Sequence, residues 1–290
     1  MMATLMQPLQ FTFMQHALGM VLIVAFPTAL LSCFLVLKGW ALMGDSVSHA
    51  TLPGIVLAWM LGIPLVAGAF GAGLGCALLM GYLSRHCRVK YDAIMGVVFS
   101  GMFGVGIIMF KSINTNQHLT HVLFGNMLGV GPQDLWTSGV IAVLVSLTLL
   151  LKWRDFLLHA FDPAQARACG LNTTLLHYAL LVCLSLTIVS TLTSVGLILA
   201  VALLVTPGAI AFLTVRSFAR MLVVSVAACL FALLLGAYLS FFLDSGPAPT
   251  IVLILTMLFI MAFIYRLAMT HWHSRQRVAW QRRTTGGESV

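Results

Sequence analysis

Nine apolar stretches recur along the chain, at about 17–37, 41–61, 63–83, 93–110, 136–151, 177–193, 195–213, 221–242 and 250–268. Their lengths bracket the ~20 residues that a helix rising 1.5 Å per residue needs to cross a ~30 Å hydrocarbon core. No long alternation of polar and apolar residues runs through them, so the pattern predicts membrane-spanning helices, not the strands of a barrel. One stretch breaks the pattern: Gly44 to Gly54 sets Asp45, Ser46, Ser48 and His49 inside an otherwise apolar run.

Between the spans, the pattern is less regular. In the third span Gly68, Gly71, Gly73 and Gly75 recur, with Gly71 and Gly75 at the GxxxG spacing that lets helix backbones approach closely. From Lys111 to Asp134 the connection is too long for a turn, and its apolar run Val122–Gly129 is expected to be a re-entrant or interfacial piece. The segment 152–176 forms the longest loop on the other side and contains a short helix signal. Asp162 suits the N-cap, Pro163 the first helical position and Gly170 the closing residue. Thr206-Pro207-Gly208 is expected to interrupt the seventh span, either as part of a transport pathway or as a packed kink. Residues 270–290, with His271, His273 and four arginines, are expected to form a solvated tail near anionic headgroups.

Composition agrees with the spans. The chain is 61% hydrophobic and only 8% charged, which marks an integral membrane protein. Its net charge of +8 does not imply nucleic acid, because the basic residues sit in short loops. With nine spans, fourteen of the fifteen Lys and Arg residues fall on one side and only Lys111 on the other. The positive-inside rule then puts the C-terminus in the cytoplasm and the N-terminal segment 1–15 outside. Merging one early span would move that segment inside. It contains no Lys or Arg, so no signal-peptide n-region is expected. Cys33, Cys76, Cys87, Cys169, Cys183 and Cys229 show no CxxC pair and read as small core residues.

Asp45 and His49 carry the chemistry. Positions four apart lie on one helix face, so both side chains can reach a common point. If the stretch is helical from Lys38 onward, His49 lies roughly 16 Å deep, about half of the core. An ionisable group there costs at least ~2.5 kcal/mol and usually faces a polar interior. Carboxylate oxygen with imidazole nitrogen suits Mn2+, Fe2+ or Zn2+, and the absence of thiolate argues against Cu+. Two readings are open: ion or proton handling, and a helix-to-helix hydrogen bond. Ser46, Ser48 and Pro207 are further pathway candidates. His118 and His121, spaced HxxH in the outer loop, read as loop histidines. No GxxxxGK[ST] phosphate loop, HExxH or GxSxG motif is present, so nucleotide hydrolysis by this chain and the usual hydrolase machineries are not expected.

The run Leu37 to Gly54 closely resembles the signature of the permease subunits of bacterial ABC importers for manganese, iron and zinc. Similar ordered motifs follow at Met95–Gly101, Leu123–Asn126, Phe161–Leu171, Ser194–Gly196 and Thr206–Ala209. The likeness is closest to the manganese and chelated-iron branch. It implies an all-α polytopic permease fold of eight to nine transmembrane helices over residues 1–290, in the bacterial cytoplasmic membrane. It also implies a dimeric pore built with a second copy or a sister permease, a cytoplasmic ATPase dimer and an external metal-binding protein. The chain itself would not be an enzyme and would hold no permanent cofactor; Mn2+ or Fe2+, or alternatively Zn2+, would be its cargo. Asp45 and His49 correspond to the residues that line the metal path. Asp162, Pro163, Ala166, Arg167 and Gly170 fall in a segment that resembles the coupling helix touching the ATPase. Two departures stand out: Ser46 replaces a commoner Ala, and Ala164 stands where an acidic residue is common. A proton-coupled secondary transporter without ATPase is the alternative.

Overall fold

The structure is a computed structural model and describes residues 11–111, 129–243 and 245–285. Over these residues it is helical, with α1 Thr12–Lys38, α2 Met43–Leu61, α3 Leu65–His86, α4 Tyr91–Lys111 and α5 Pro132–Leu151. Next come the short α6 Trp153–Phe161 and α7 Pro163–Ala168, then α8 Thr173–Val195, α9 Leu197–Thr214, α10 Phe218–Phe242 and α11 Pro247–Thr285. The run Val122–Leu128 and the histidines His118 and His121 lie outside the described residues.

All nine expected stretches are helices. Eight of them are long and apolar enough to cross a membrane. The remaining one, α2, has 19 residues and is made less apolar by Asp45, Ser46, Ser48, His49 and Thr51. The fifth helix is longer than expected because it starts at Pro132, where Asp134 reaches back to the Gly131 N–H at 3.1 Å. The eighth and ninth helices meet at Gly196, whose φ of 87° turns the chain within one residue.

Contacts fix the direction of each helix. Phe11 meets Phe241 at 6.0 Å at one end of the bundle, and Phe34 meets Phe218 at 5.1 Å toward the other. Lys38, Lys90, Lys152, Arg154, Arg167, Arg216, Arg220 and Arg266 belong to this second end, and Lys111 to the first. The charge asymmetry expected from loops is therefore a property of the folded bundle.

α2 runs between α3 and α4, and small residues set how closely. A Cβ on Gly54 would collide with the Gly68 carbonyl and Ala72; one on Gly68 would collide with the Gly54 carbonyl and Ala58. The crossing thus uses Gly54 and Ala58 against Gly68 and Ala72, four residues apart on each helix. The expected packing pair, Gly71 and Gly75, does not take part, for nothing lies within 4 Å of a Cβ at either. Both are exposed, at the open border of the crossing face. On the other side of α2, Gly106 of α4 admits Leu52 and Pro53, and Gly44 seats Leu204 of α9.

Pro207 does not interrupt α9, which runs unbroken from Leu197 to Thr214. The proline is buried within it. Ser32 of α1 inserts its hydroxyl there, accepting from the Gly208 N–H at 2.7 Å and donating to the Val205 carbonyl at 3.1 Å. This cross-helix pairing keeps backbone groups bonded where the proline ring disturbs the ladder. Ser225 of α10 also donates to the Ala29 carbonyl at 2.9 Å, so α1 is held from two sides by hydroxyls. At the end of the chain, the backbone of α11 stays helical through the expected tail as far as Thr285.

Candidate metal site and docking element

α1 closes at Gly39, whose φ of 68° permits the N–H groups of Gly39 and Trp40 to bond the carbonyls of Val36 and Leu35 at 3.2 and 2.8 Å. This is a Schellman closure, and it ends the helix before the polar stretch begins. α2 therefore starts only at Met43. Asp45 lies in its first turn and His49 six residues in, roughly 9 Å along the axis. The depth of ~16 Å expected for an unbroken helix from Lys38 is thus too large, because Gly39 to Leu42 form a turn.

Asp45 Oδ1 lies 3.4 Å from His49 Nε2, with the Asp45 side chain 43% and the His49 side chain 25% exposed. That distance is long for a hydrogen bond. Two ligand atoms ~2.1 Å from one ion at a tetrahedral angle lie about 3.4 Å apart, so the pair already has a chelating separation. Among the described residues no third His, Cys, Asp or Glu joins them. Any further ligand must come from water, from a backbone carbonyl or from another chain.

Two phenylalanines of α4, which the spacing of polar residues could not reveal, hold the imidazole. The rings of Phe99 and Phe103 each lie 5.2 Å from that of His49, at 62° and 81°, and stack on each other at 5.9 Å. His49 Nδ1 is buried and makes no hydrogen bond among the described residues. With the second nitrogen unanchored by a polar partner, ring orientation depends on this aromatic clamp. As a metal ligand His49 would have quadrupole contacts and shape in place of the usual outer-shell carboxylate or carbonyl. Phe99→Leu or Phe103→Leu should accordingly raise the KM for metal uptake by about tenfold, with little change in the amount of protein in the membrane. Concentration-dependent uptake of radioactive manganese checks this; an unaltered KM in both variants removes the clamp.

Ser46 and Ser48 are not brought to the pair. Their hydroxyls donate to the Leu42 and Gly44 carbonyls of their own helix at 3.0 and 2.7 Å, and both residues are buried. Pro207 is buried in α9, three residues past the Leu204 that packs against Gly44.

At the basic end, α7 is the short helix expected from its caps. Asp162 Oδ1 accepts from the Ala164 and Gln165 N–H groups at 2.8 and 3.1 Å. Gly170, at φ 80°, lets the N–H groups of Gly170 and Leu171 bond the Arg167 and Ala166 carbonyls, each at 3.0 Å. Ala166 is fully buried while Pro163, Ala164, Gln165, Arg167 and Gly170 are exposed. Ala166 is thus the seat of the helix, and the other residues form its outer surface. α6, which no motif announced, carries α7. Its Phe156 packs edge-on against Phe34 at 5.9 Å, and Trp153 stacks on Phe218 at 6.0 Å.

Comparison with known proteins gives this arrangement its context. The chain is 51% identical over 259 residues to the "chelated iron transport system membrane protein YfeD" of Yersinia pestis, covering 89% of this chain and 87% of that one. It is 42% identical to the "manganese transport system membrane protein MntB" of a Synechocystis strain, covering 93% and 90% of the two chains. Among solved structures, PsaBC from Streptococcus pneumoniae in complex with Fab superposes with a TM-score of 0.81 at 33% identity, over 91% of this chain and 95% of that one. Residues 10–266 match the ABC 3 transport family, and the chain belongs to that family of membrane transport proteins.

Proposed function

We propose that this chain is the pore subunit of an ATP-driven importer of Mn2+ or Fe2+, with the ion passing Asp45 and His49. The observation that carries the reading is the 3.4 Å approach of a carboxylate oxygen and an imidazole nitrogen within a membrane helix. The manganese and chelated-iron systems named for its relatives support the choice of cargo. Two ligands from one chain hold a divalent ion loosely, which suits a site that must release it. The Asp45 carboxylate, half exposed on a chain otherwise apolar at this level, needs cover from hydrocarbon. A second permease, either a copy of this chain or a sister, supplies that cover and the missing ligands.

Hydrolysis of ATP takes place in a separate cytoplasmic ATPase that docks on the exposed surface of α7, and an external binding protein delivers the metal. The bias of fourteen basic residues to one side supports reading the α7 side and the C-terminus as cytoplasmic. Alternating access follows: ATP binding moves α6 and α7, and the path around Asp45 and His49 changes the side to which it opens. Vesicles containing the chain, its ATPase and internal ATP should accumulate manganese after the proton gradient is collapsed. Uptake that disappears with the gradient would instead identify a proton-coupled carrier.

The docking role makes a separate prediction. Asp162→Ala removes an N-cap, at a cost of about 1 kcal/mol, and Gly170→Val forces a branched residue into left-handed backbone, at about 1–2 kcal/mol. Both should lower the metal moved per ATP hydrolysed several-fold without altering metal binding at Asp45 and His49. Unchanged ratios in both variants sink the assignment of α7.

A further inference from the structure

The end of the bundle that carries α7 holds a polar contact unlike the apolar packing around it. Lys38, the last residue of α1, places its Nζ 2.9 Å from His159 Nε2 of α6. An ammonium has only donors, so the imidazole nitrogen accepts. His159 is buried at 4% exposure, with the His177 ring of α8 edge-on at 6.2 Å. The Gly39 turn folds Trp40 back under Lys38, with the ammonium 4.3 Å from the indole centroid. The indole in turn stacks on Tyr91 of α4 at 5.4 Å and 11°. The Tyr91 hydroxyl donates to Met43 Sδ at 3.2 Å, and Met43 is the first residue of α2, two before Asp45.

Named contacts therefore run without a gap from α6, which carries α7, to the first turn of the helix that carries the metal pair. The positive-inside bias accounts for a half-buried Lys38 at this end, but it does not require a bond from that ammonium to a buried imidazole of another helix. That bond has a property that apolar contacts lack. A hydrogen bond at 2.9 Å is lost on a displacement of about 1 Å, whereas methyl groups slide past one another. The contact is either made or broken, as a two-state link requires.

We propose that Lys38 and His159 are positioning residues that pass movement of the docking element α6–α7 to the first turn of α2, and so set the geometry of Asp45 and His49. The proposal rests on the reading of α7 as the ATPase dock. Its test uses the complete complex with ATPase in vesicles, reading manganese moved per ATP hydrolysed and the amount of ATPase that co-purifies. His159→Phe, which keeps a ring but no acceptor, and Lys38→Met should each lower the ratio about tenfold, the value of one charge-assisted hydrogen bond, with ATPase co-purification unchanged. Lys38→Arg, which keeps the donor, should retain most of the ratio. A ratio within about twofold of the parent protein in Lys38→Met overturns the proposal, and so does loss of the ATPase from that variant, which would make the contact part of the dock itself. Should His159→Phe fail to accumulate, Lys38→Met decides, because it leaves the seat of α6 intact. Asp162→Ala and Gly170→Val in parallel separate the two readings. If they lower the ratio and Lys38→Met does not, only the link fails; if they do not, the dock fails first.

Discussion

Asp45→Asn is expected to reduce manganese uptake about 100-fold, at or beyond the loss seen when an outer-shell partner of a metal is removed. Asparagine preserves the size of the side chain and an oxygen that can accept from His49 Nε2, but it carries no charge to hold a divalent ion. The protein should still reach the membrane in normal amounts, because the Asp45 side chain is 43% exposed and supports no buried network. His49→Ala should have an effect of the same order and should also leave a gap between Phe99 and Phe103. Radioactive manganese uptake, normalised to protein in the membrane, measures both. If Asp45→Asn transports within about threefold of the parent, the pair is a helix hydrogen bond and the pore reading loses its central observation.

Gly54→Ala is the second change expected to act strongly, and it acts through backbone. The added methyl would meet the Gly68 carbonyl and Ala72, none of which can rotate away. α2 and α3 must then separate, at a cost of about 1–3 kcal/mol or more for overpacking. Because Asp45 and His49 lie on α2, a shift at Gly54 also moves the site, so uptake should fall along with thermal stability. Gly68→Ala should behave in the same way from the other side of the crossing. Gly71→Ala and Gly75→Ala are the informative controls: open space surrounds both positions, and alanine is the better helix former by about 1 kcal/mol. Thermal unfolding of the purified chain in detergent should show Gly54→Ala and Gly68→Ala well below the parent, and Gly71→Ala at or above it. Equal loss at Gly71 would mean that the crossing has been assigned to the wrong residues of α3.

These expectations mark where local pattern was enough and where it was not. The spans were legible because hydropathy summed over about 20 residues is large compared with any single polar insertion. The caps of α7 were legible because Asp162 bonds groups only two and three residues away and Gly170 bonds within its own turn. The pairing of Asp45 with His49 followed from helical periodicity alone. By contrast α6 passed unnoticed: it is nine residues long, too short for a span signal, and its buried face mixes Phe156 with His159.

The chain's own pattern thus determined that the protein is a bundle of membrane helices, which end carries the positive charge, and that one helix bears a carboxylate and an imidazole on one face. Each of these depends on residues within a few turns of one another. Tertiary structure alone decided the rest. It placed Phe99 and Phe103 around His49, chose Gly54 and Gly68 over Gly71 and Gly75 for the close crossing, packed Pro207 behind Ser32, and joined Lys38 to His159 across 121 positions of chain. The reason is physical. Several faces of an apolar helix are nearly equivalent toward lipid, so which one meets a neighbour is settled by the fit of side chains from distant segments.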